Sequence, residues 1–175
     1  MQDAGQGFRT HDARLVGHVT SWPCALALAS AWDAELVAEW ATAAADEFLD
    51  KGANLVLGPG LNVHRVARGG RNAEYLSGED PLLGASFGSA FARAFQSKRV
   101  LVAMKHFALN QQETHRETVD AVVSARALFE VYYWPFQACV DAGAAAAMCA
   151  YNRANGDHAC NSSGLLIRDL RGTMG

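Results

Sequence analysis

The chain is 175 residues long, with 50% hydrophobic residues, 19% charged residues and a formal net charge of −3. That apolar fraction is enough for one domain with a core and excludes an intrinsically disordered chain. The slight acidity argues against a broad nucleic-acid surface, and no uncharged apolar run approaches the ~18–20 residues of a membrane span. The opening segment MQDAGQGFR lacks the basic head and apolar stretch of a signal peptide.

In chain order, Ala25–Ala29 is a weak strand candidate. Asp33 to Lys51 predicts a helix, with Asp33 as N-cap, Glu35 in the first turn and Gly52 as the stop. Ala53–Leu57 is a short apolar run ended by Gly58-Pro59-Gly60, which suits a buried strand. Pro81 to Gln96 predicts a second helix with Leu83, Phe87, Phe91 and Phe95 on one face, and Val100–Met104 a second buried strand. Ser124 to Asp141 reads as a third helix capped by Ser124 and broken or kinked at Pro135. Ala144–Ala150 is a third apolar run, and Ser162–Arg171 a last short helix closed by Gly172.

Apolar strands each followed by a helix indicate an α/β fold with parallel strands. A closed (β/α)8 barrel takes about 250 residues, so the choice is a small open sheet or part of a barrel. Polar residues gather where the apolar runs end: Asn62 to Tyr75 after the first, Lys105 and His106 after the second, Tyr151 to Arg153 after the third. In α/β sheets and barrels that end holds ligands. Cys24, Cys139, Cys149 and Cys160 form no CxxC pair, and His64, His106 and His115 do not share a helix face, so a zinc site is not expected. Cys149 and Cys160 stand 11 apart and either form one disulfide in an oxidising compartment or are free thiols.

Four segments, in order, resemble glycoside hydrolase family 3, in particular its β-glucosidase-type members. They are Ala27–Trp40 (ALASAWDAELVAEW), Gly58–Pro81 (GPGLNVHR…GGRNAEYLSGEDP), Lys105–Arg116 (KHFALNQQETHR) and Met148–Gly156 (MCAYNRANG). QDAGQGFR at Gln2–Arg9 is a weaker match, with Ala4-Gly5 where the family has Gly-Pro. The resemblance implies a partial (β/α)8 TIM-type barrel, about half of it, spanning residues 1–175, with the family's C-terminal α/β sandwich domain absent. It implies retaining cleavage of terminal β-linked sugars, with an oligosaccharide or β-glucoside as substrate and no cofactor; from the residues themselves no metal is expected, and from charge and hydropathy no nucleic-acid or membrane partner.

By the resemblance, Asp3, Arg71, Lys105, His106, Arg116 and Tyr151 hold the sugar. A carboxylate accepts from two neighbouring hydroxyls, and the Arg fork grips two oxygens. Asp3 is expected at a frayed terminus. For Arg71 the competing role is an ion pair with Glu74 or Glu79, and for Tyr151 a place in the core. Arg9 is expected to support its loop, His64 and Arg65 to shape theirs, and Glu74 and Glu113 to orient the cations. Neighbours on a strand point to opposite faces, so Lys105 and His106 reach one ligand only with unusual backbone; a cis peptide between them is expected.

No catalytic residue is assigned. The family's nucleophile Asp is expected on a strand beginning just beyond Gly175, and the acid/base Glu later still. The 175 residues alone are therefore expected to be inactive, with unpartnered strand edges that favour aggregation. Alternatives within the family are a β-xylosidase or an exo-glucanase; an N-acetylglucosaminidase is disfavoured because its pattern after the Lys-His pair is missing. Outside enzymes the alternative is a non-catalytic carbohydrate-binding paralogue. A nucleotide-binding protein is disfavoured, since Gly58-Pro59-Gly60 lacks the donors of a phosphate loop. Compartment is left open, with secretion allowed if a signal peptide lies upstream.

Overall fold

The computed structural model describes residues 1–175. Strand β1 (Gln2–Asp3) leads into α1 (Ala25–Ala29), α2 (Ala34–Asp50) and β2 (Leu55–Gly60). Helix α3 (Pro81–Ser97), β3 (Leu101–Phe107) and the two-residue β4 (Asp120–Ala121) follow. Next come α4 (Ala125–Ala127), which widens into a π-turn over Leu128–Tyr132, then α5 (Trp134–Asp141) and β5 (Ala146–Cys149). Strands β6 (Arg153–Ala154) and β7 (Asp157–His158) and a π-wound α6 (Gly164–Met174) complete the chain.

The main sheet has the order β1-β2-β3-β5, all parallel. Successive β/α units thus lie side by side, and the sheet ends at β1 and β5 without closing. This is a partial (β/α)8 barrel. A small sheet of β4, β6 and β7 sits apart from it.

Local chemistry fixes the helices. The Asp33 carboxylate accepts from the amides of Glu35 (2.9 Å) and Leu36 (3.0 Å), and Asp80 accepts from Leu82 (2.8 Å) with Pro81 opening the helix. Pro135 breaks the third helical stretch, as expected: α5 starts at Trp134, after the π-turn. Helices α2, α3 and α5 pack in sequence, and buried Ala41, Ala44, Ala45 and Ala92 let them approach closely. Aromatic side chains fill what alanine leaves thin. Phe91 stacks on Phe95 at 4.4 Å, Phe48 meets Phe95 edge-on at 5.5 Å, and Phe107 stacks on Tyr133 at 5.2 Å.

Several sequence expectations are corrected. Ala25–Ala29 is helical, not a strand: Pro23 stands just ahead of the cap, Ala and Leu favour helix, and Ala25, Leu28 and Ala29 bury one helical face. Strand β2 does not stop at Gly58 but runs through a cis Gly58–Pro59 bond to Gly60. Gly60 must be glycine, because a Cβ there would sit 2.5 Å from the Tyr75 ring and 2.6 Å from the Glu74 carbonyl. Asp3 is not frayed; it pairs with Leu57 in the sheet. Helix α6 runs past Gly172, drawn on by buried Met174, whose carbonyl accepts from Gln137 at 3.2 Å. The Lys105–His106 peptide is cis, as anticipated, and so is Phe107–Ala108, which was not. Cys149 and Cys160 form a disulfide with Cα atoms 5.2 Å apart, whereas Cys24 and Cys139 are free. No helix is long and apolar enough to cross a membrane.

Candidate functional site

Asp3 ends β1, Lys105 and His106 lie at the carboxyl end of β3, and Arg71 and Glu74 come from the segment that follows β2, so polar residues gather at the end where parallel sheets bind ligands. Lys105, only 4% exposed, donates to Asp3 at 2.8 Å and lies 3.6 Å from Glu74. Glu74 also pairs with Arg71. Arg71 lies 3.7 Å from Glu113, which accepts from Arg116 at 2.7 Å. The Arg116 guanidinium rests 4.6 Å from the centre of the Tyr151 ring. With His106 3.2 Å from Arg71, all six residues singled out in the sequence are joined by contacts, with Glu74 and Glu113 between the cations.

Beside Asp3 and Lys105 lies a cavity of about 640 Å³, which Arg71 and Glu74 also line. Arg9 faces the same cavity, is exposed and makes no side-chain hydrogen bond. His106, Arg116 and Tyr151 do not line it; they are joined to the cavity residues through Arg71 and Glu113. Arg71 pairs with Glu74 and Glu113 rather than Glu79, so the ion-pair role is present together with its place at the cavity. Tyr151 is 53% exposed, which removes the core role considered for it.

His106 is fixed as one tautomer. Arg71 Nη2 can only donate, at 3.2 Å, so Nε2 accepts and the ring is neutral. Nδ1–H then donates to the Tyr75 hydroxyl at 3.1 Å, which also accepts from Asn110 Nδ2 at 3.1 Å. Burial, aided by Arg71, Lys105 and Arg116, pushes the imidazole down to about 2. Burial also raises the Tyr75 phenol above its ordinary range, with Arg71 opposing it. For Arg71, burial works against the charge, but Glu74 and Glu113 outweigh it and the guanidinium is held more firmly protonated.

The His106 geometry sets a pH dependence. An unfolded His binds its proton near pH 6.5, whereas the folded one does so only near 2. The contribution to stability is complete above ~6.5 and falls by about 1.4 kcal/mol per pH unit below it. Denaturant titrations at stepped pH of an enzyme that carries residues 1–175 in place of its own matching segment should show this slope, and His106→Gln should flatten it; an unchanged slope would mean that the buried imidazole is not its source.

The family model for the glycosyl hydrolase family 3 N terminal domain matches residues 4–175. The chain belongs to this family.

Probable beta-glucosidase M of Emericella nidulans is 35% identical over 187 aligned positions, covering 100% of this chain and 23% of that protein. The exo-alpha-(1->6)-L-arabinopyranosidase of Bifidobacterium longum is 41% identical over 157 positions, covering 89% of this chain and 21% of its own length. Beta-glucosidase 3B of Thermotoga neapolitana, solved in complex with glucose, superposes with a TM-score of 0.93 at 37% identity, over 99% of this chain and 25% of that one. This family 3 chain thus spans about a quarter of the length of these relatives.

Other residues of this family 3 domain shape the site without having been singled out in the sequence. Asn62 Oδ1 accepts from the His106 amide at 2.9 Å while its Nδ2 donates to the His106 carbonyl at 3.1 Å, gripping that backbone from both sides. Glu47 on α2 accepts from the Thr20 amide at 2.7 Å and from Trp22 Nε1 at 3.0 Å. Trp22 in turn donates its amide to the Gln6 carbonyl at 2.9 Å and packs against Gly7, where a Cβ would meet its ring at 2.5 Å. Glu47 therefore fixes the wall formed by residues 5–9 and 19–21 of the cavity.

Proposed function

We propose that this domain is the glycone-binding part of a retaining, exo-acting β-glucosidase-like glycoside hydrolase that removes terminal β-D-glucosyl residues. The observation that carries this reading is the set Asp3–Lys105–Glu74–Arg71, which lines a cavity near the carboxyl ends of parallel strands and continues through Glu113 to Arg116. Sugar hydroxyls both donate and accept. Alternating carboxylates and cations offer each of them a partner, and the planar Arg fork fixes two oxygens at once.

Retaining hydrolysis needs two carboxyl groups about 5–5.5 Å apart, one attacking the anomeric carbon and one exchanging a proton with the leaving oxygen. Asp3, Glu74 and Glu113 are already committed to Lys105, Arg71 and Arg116. In this reading they bind and orient, and the nucleophile and the acid/base come from chain outside residues 1–175. A second reading has a specific support in the 41% identity to an arabinopyranosidase, whose glycone lacks the hydroxymethyl arm of glucose.

The test is a chimera with residues 1–175 in place of the matching segment of the Thermotoga neapolitana enzyme. Its kcat/KM is compared on p-nitrophenyl β-D-glucoside, β-D-xyloside and α-L-arabinopyranoside. Preference for the glucoside is expected. Preference for the arabinoside would favour the second reading, preference for the xyloside would overturn the glucosyl assignment, and binding without turnover would favour a carbohydrate-binding role. In the same chimera Glu47→Gln keeps only one of two acceptor bonds, since an amide nitrogen donates. A rise in KM of about tenfold, the worth of ~1.4 kcal/mol, is expected with a smaller change in kcat. An equal fall in kcat at constant KM would show that the loop acts on the chemical step instead.

A further inference from the structure

One motif has no part in holding the sugar. Asn161-Ser162-Ser163 is the only Asn-x-Ser/Thr sequence among the seven asparagines, and its middle residue is not proline. The fold separates its three side chains sharply. Ser162 is buried, and its hydroxyl accepts from the Leu165 amide at 3.3 Å while its carbonyl accepts from Leu166 at 2.9 Å, starting α6. Asn161 and Ser163 are exposed, and neither side chain hydrogen-bonds to the rest of the chain. The two groups the modification requires are those the fold leaves unused.

A second observation, independent of the motif, concerns the compartment. Cys160, the residue just before Asn161, is joined to Cys149. Such cross-links form and persist in oxidising compartments such as the secretory lumen, where asparagine-linked glycans are also attached. We infer that Asn161 is an N-glycosylation site. This inference does not depend on the sugar-cleaving role.

The co-substrate is a lipid diphosphate-linked oligosaccharide. The Asn161 carboxamide nitrogen bonds to the anomeric carbon as the bond from that carbon to the diphosphate oxygen breaks. The lipid diphosphate leaves with the electron pair, and one amide proton passes to the transferase; nothing is oxidised or reduced. Ser163 supplies the hydroxyl that the transferase recognises. The turn Ala159–Asn161 follows the β6–β7 hairpin, and the Cys149–Cys160 disulfide ties it to the carboxyl end of β5.

The chain is expressed behind a cleavable secretion leader in a eukaryotic host and recovered both from the medium and from secretory membranes, so that poor folding does not hide the product. Enzymatic removal of N-glycans in heavy-oxygen water, followed by peptide mass spectrometry, should mark Asn161 by conversion to aspartate with uptake of the label. Asn161→Gln and Ser163→Ala should reduce the label to background, while Ser163→Thr and Ser162→Ala should keep it. The Ser162→Ala arm separates the motif from the turn it sits in. An unmodified Asn161 peptide in both fractions, or a label that survives Ser163→Ala, would overturn the proposal.

Discussion

Lys105→Met, placed in the chimeric enzyme, is expected to lower kcat/KM on the β-glucoside by about 10²–10³-fold, the scale of losing one hydrogen-bond donor to the transition state. Methionine preserves the length of the stem but removes the donor to Asp3 at 2.8 Å and the cation 3.6 Å from Glu74. Both carboxylates are partly solvent-exposed, so the stability loss should fall below the ~3–5 kcal/mol of a fully buried broken pair. Asp3→Asn combined with Lys105→Met should fall short of the sum of the single effects, because the two groups are in direct contact. Lys105→Arg should not rescue activity, since a planar fork does not fit where a compact ammonium is packed. A variant retaining activity within a few-fold would show that Lys105 is only a counter-ion for Asp3.

The second large effect concerns the 175 residues alone. Purified in isolation they should release no p-nitrophenol above background from the aryl β-glucoside, because losing a catalytic carboxylate costs several orders of magnitude and both are assigned elsewhere. They should also self-associate. Strands β1 and β5 each have one paired neighbour, and Leu101, Val122, Phe129 and Ile167 are exposed. Size-exclusion chromatography with light scattering and a thermal melt test the second point. A monomer with a sharp cooperative transition would contradict it, and measurable turnover would contradict the placement of the carboxylates.

Helices α2 and α3 were legible because their signals are local: an Asp cap, a glycine or proline at the boundary and aromatic residues at helical spacing. The strand ends were not, because β2 carries Pro59 and β3 carries Lys105 and His106, residues that read as loop until the tertiary contacts that bury them are known. Ala25–Ala29 alternates alanine and leucine, a pattern compatible with either period, and packing decided it. The site divided in the same way. Motif residues converged, whereas Asn62, Tyr75, Asn110 and Glu47 act through partners 44, 31, 35 and 27 positions away, a distance at which residue type alone carries no signal.

The order of the strands has a consequence for biosynthesis. Hydrogen-bonded neighbours in the main sheet follow one another along the chain, so each new unit docks on the one made just before it, through pairings such as Gln2 with Val56. The clasp between Asp3 and Lys105, separated by 102 positions, can close only once β3 has been made. Arg116 and Tyr151 then extend a run of contacts whose first members precede them in the sequence, so the polar network can grow vectorially, from the amino terminus onward.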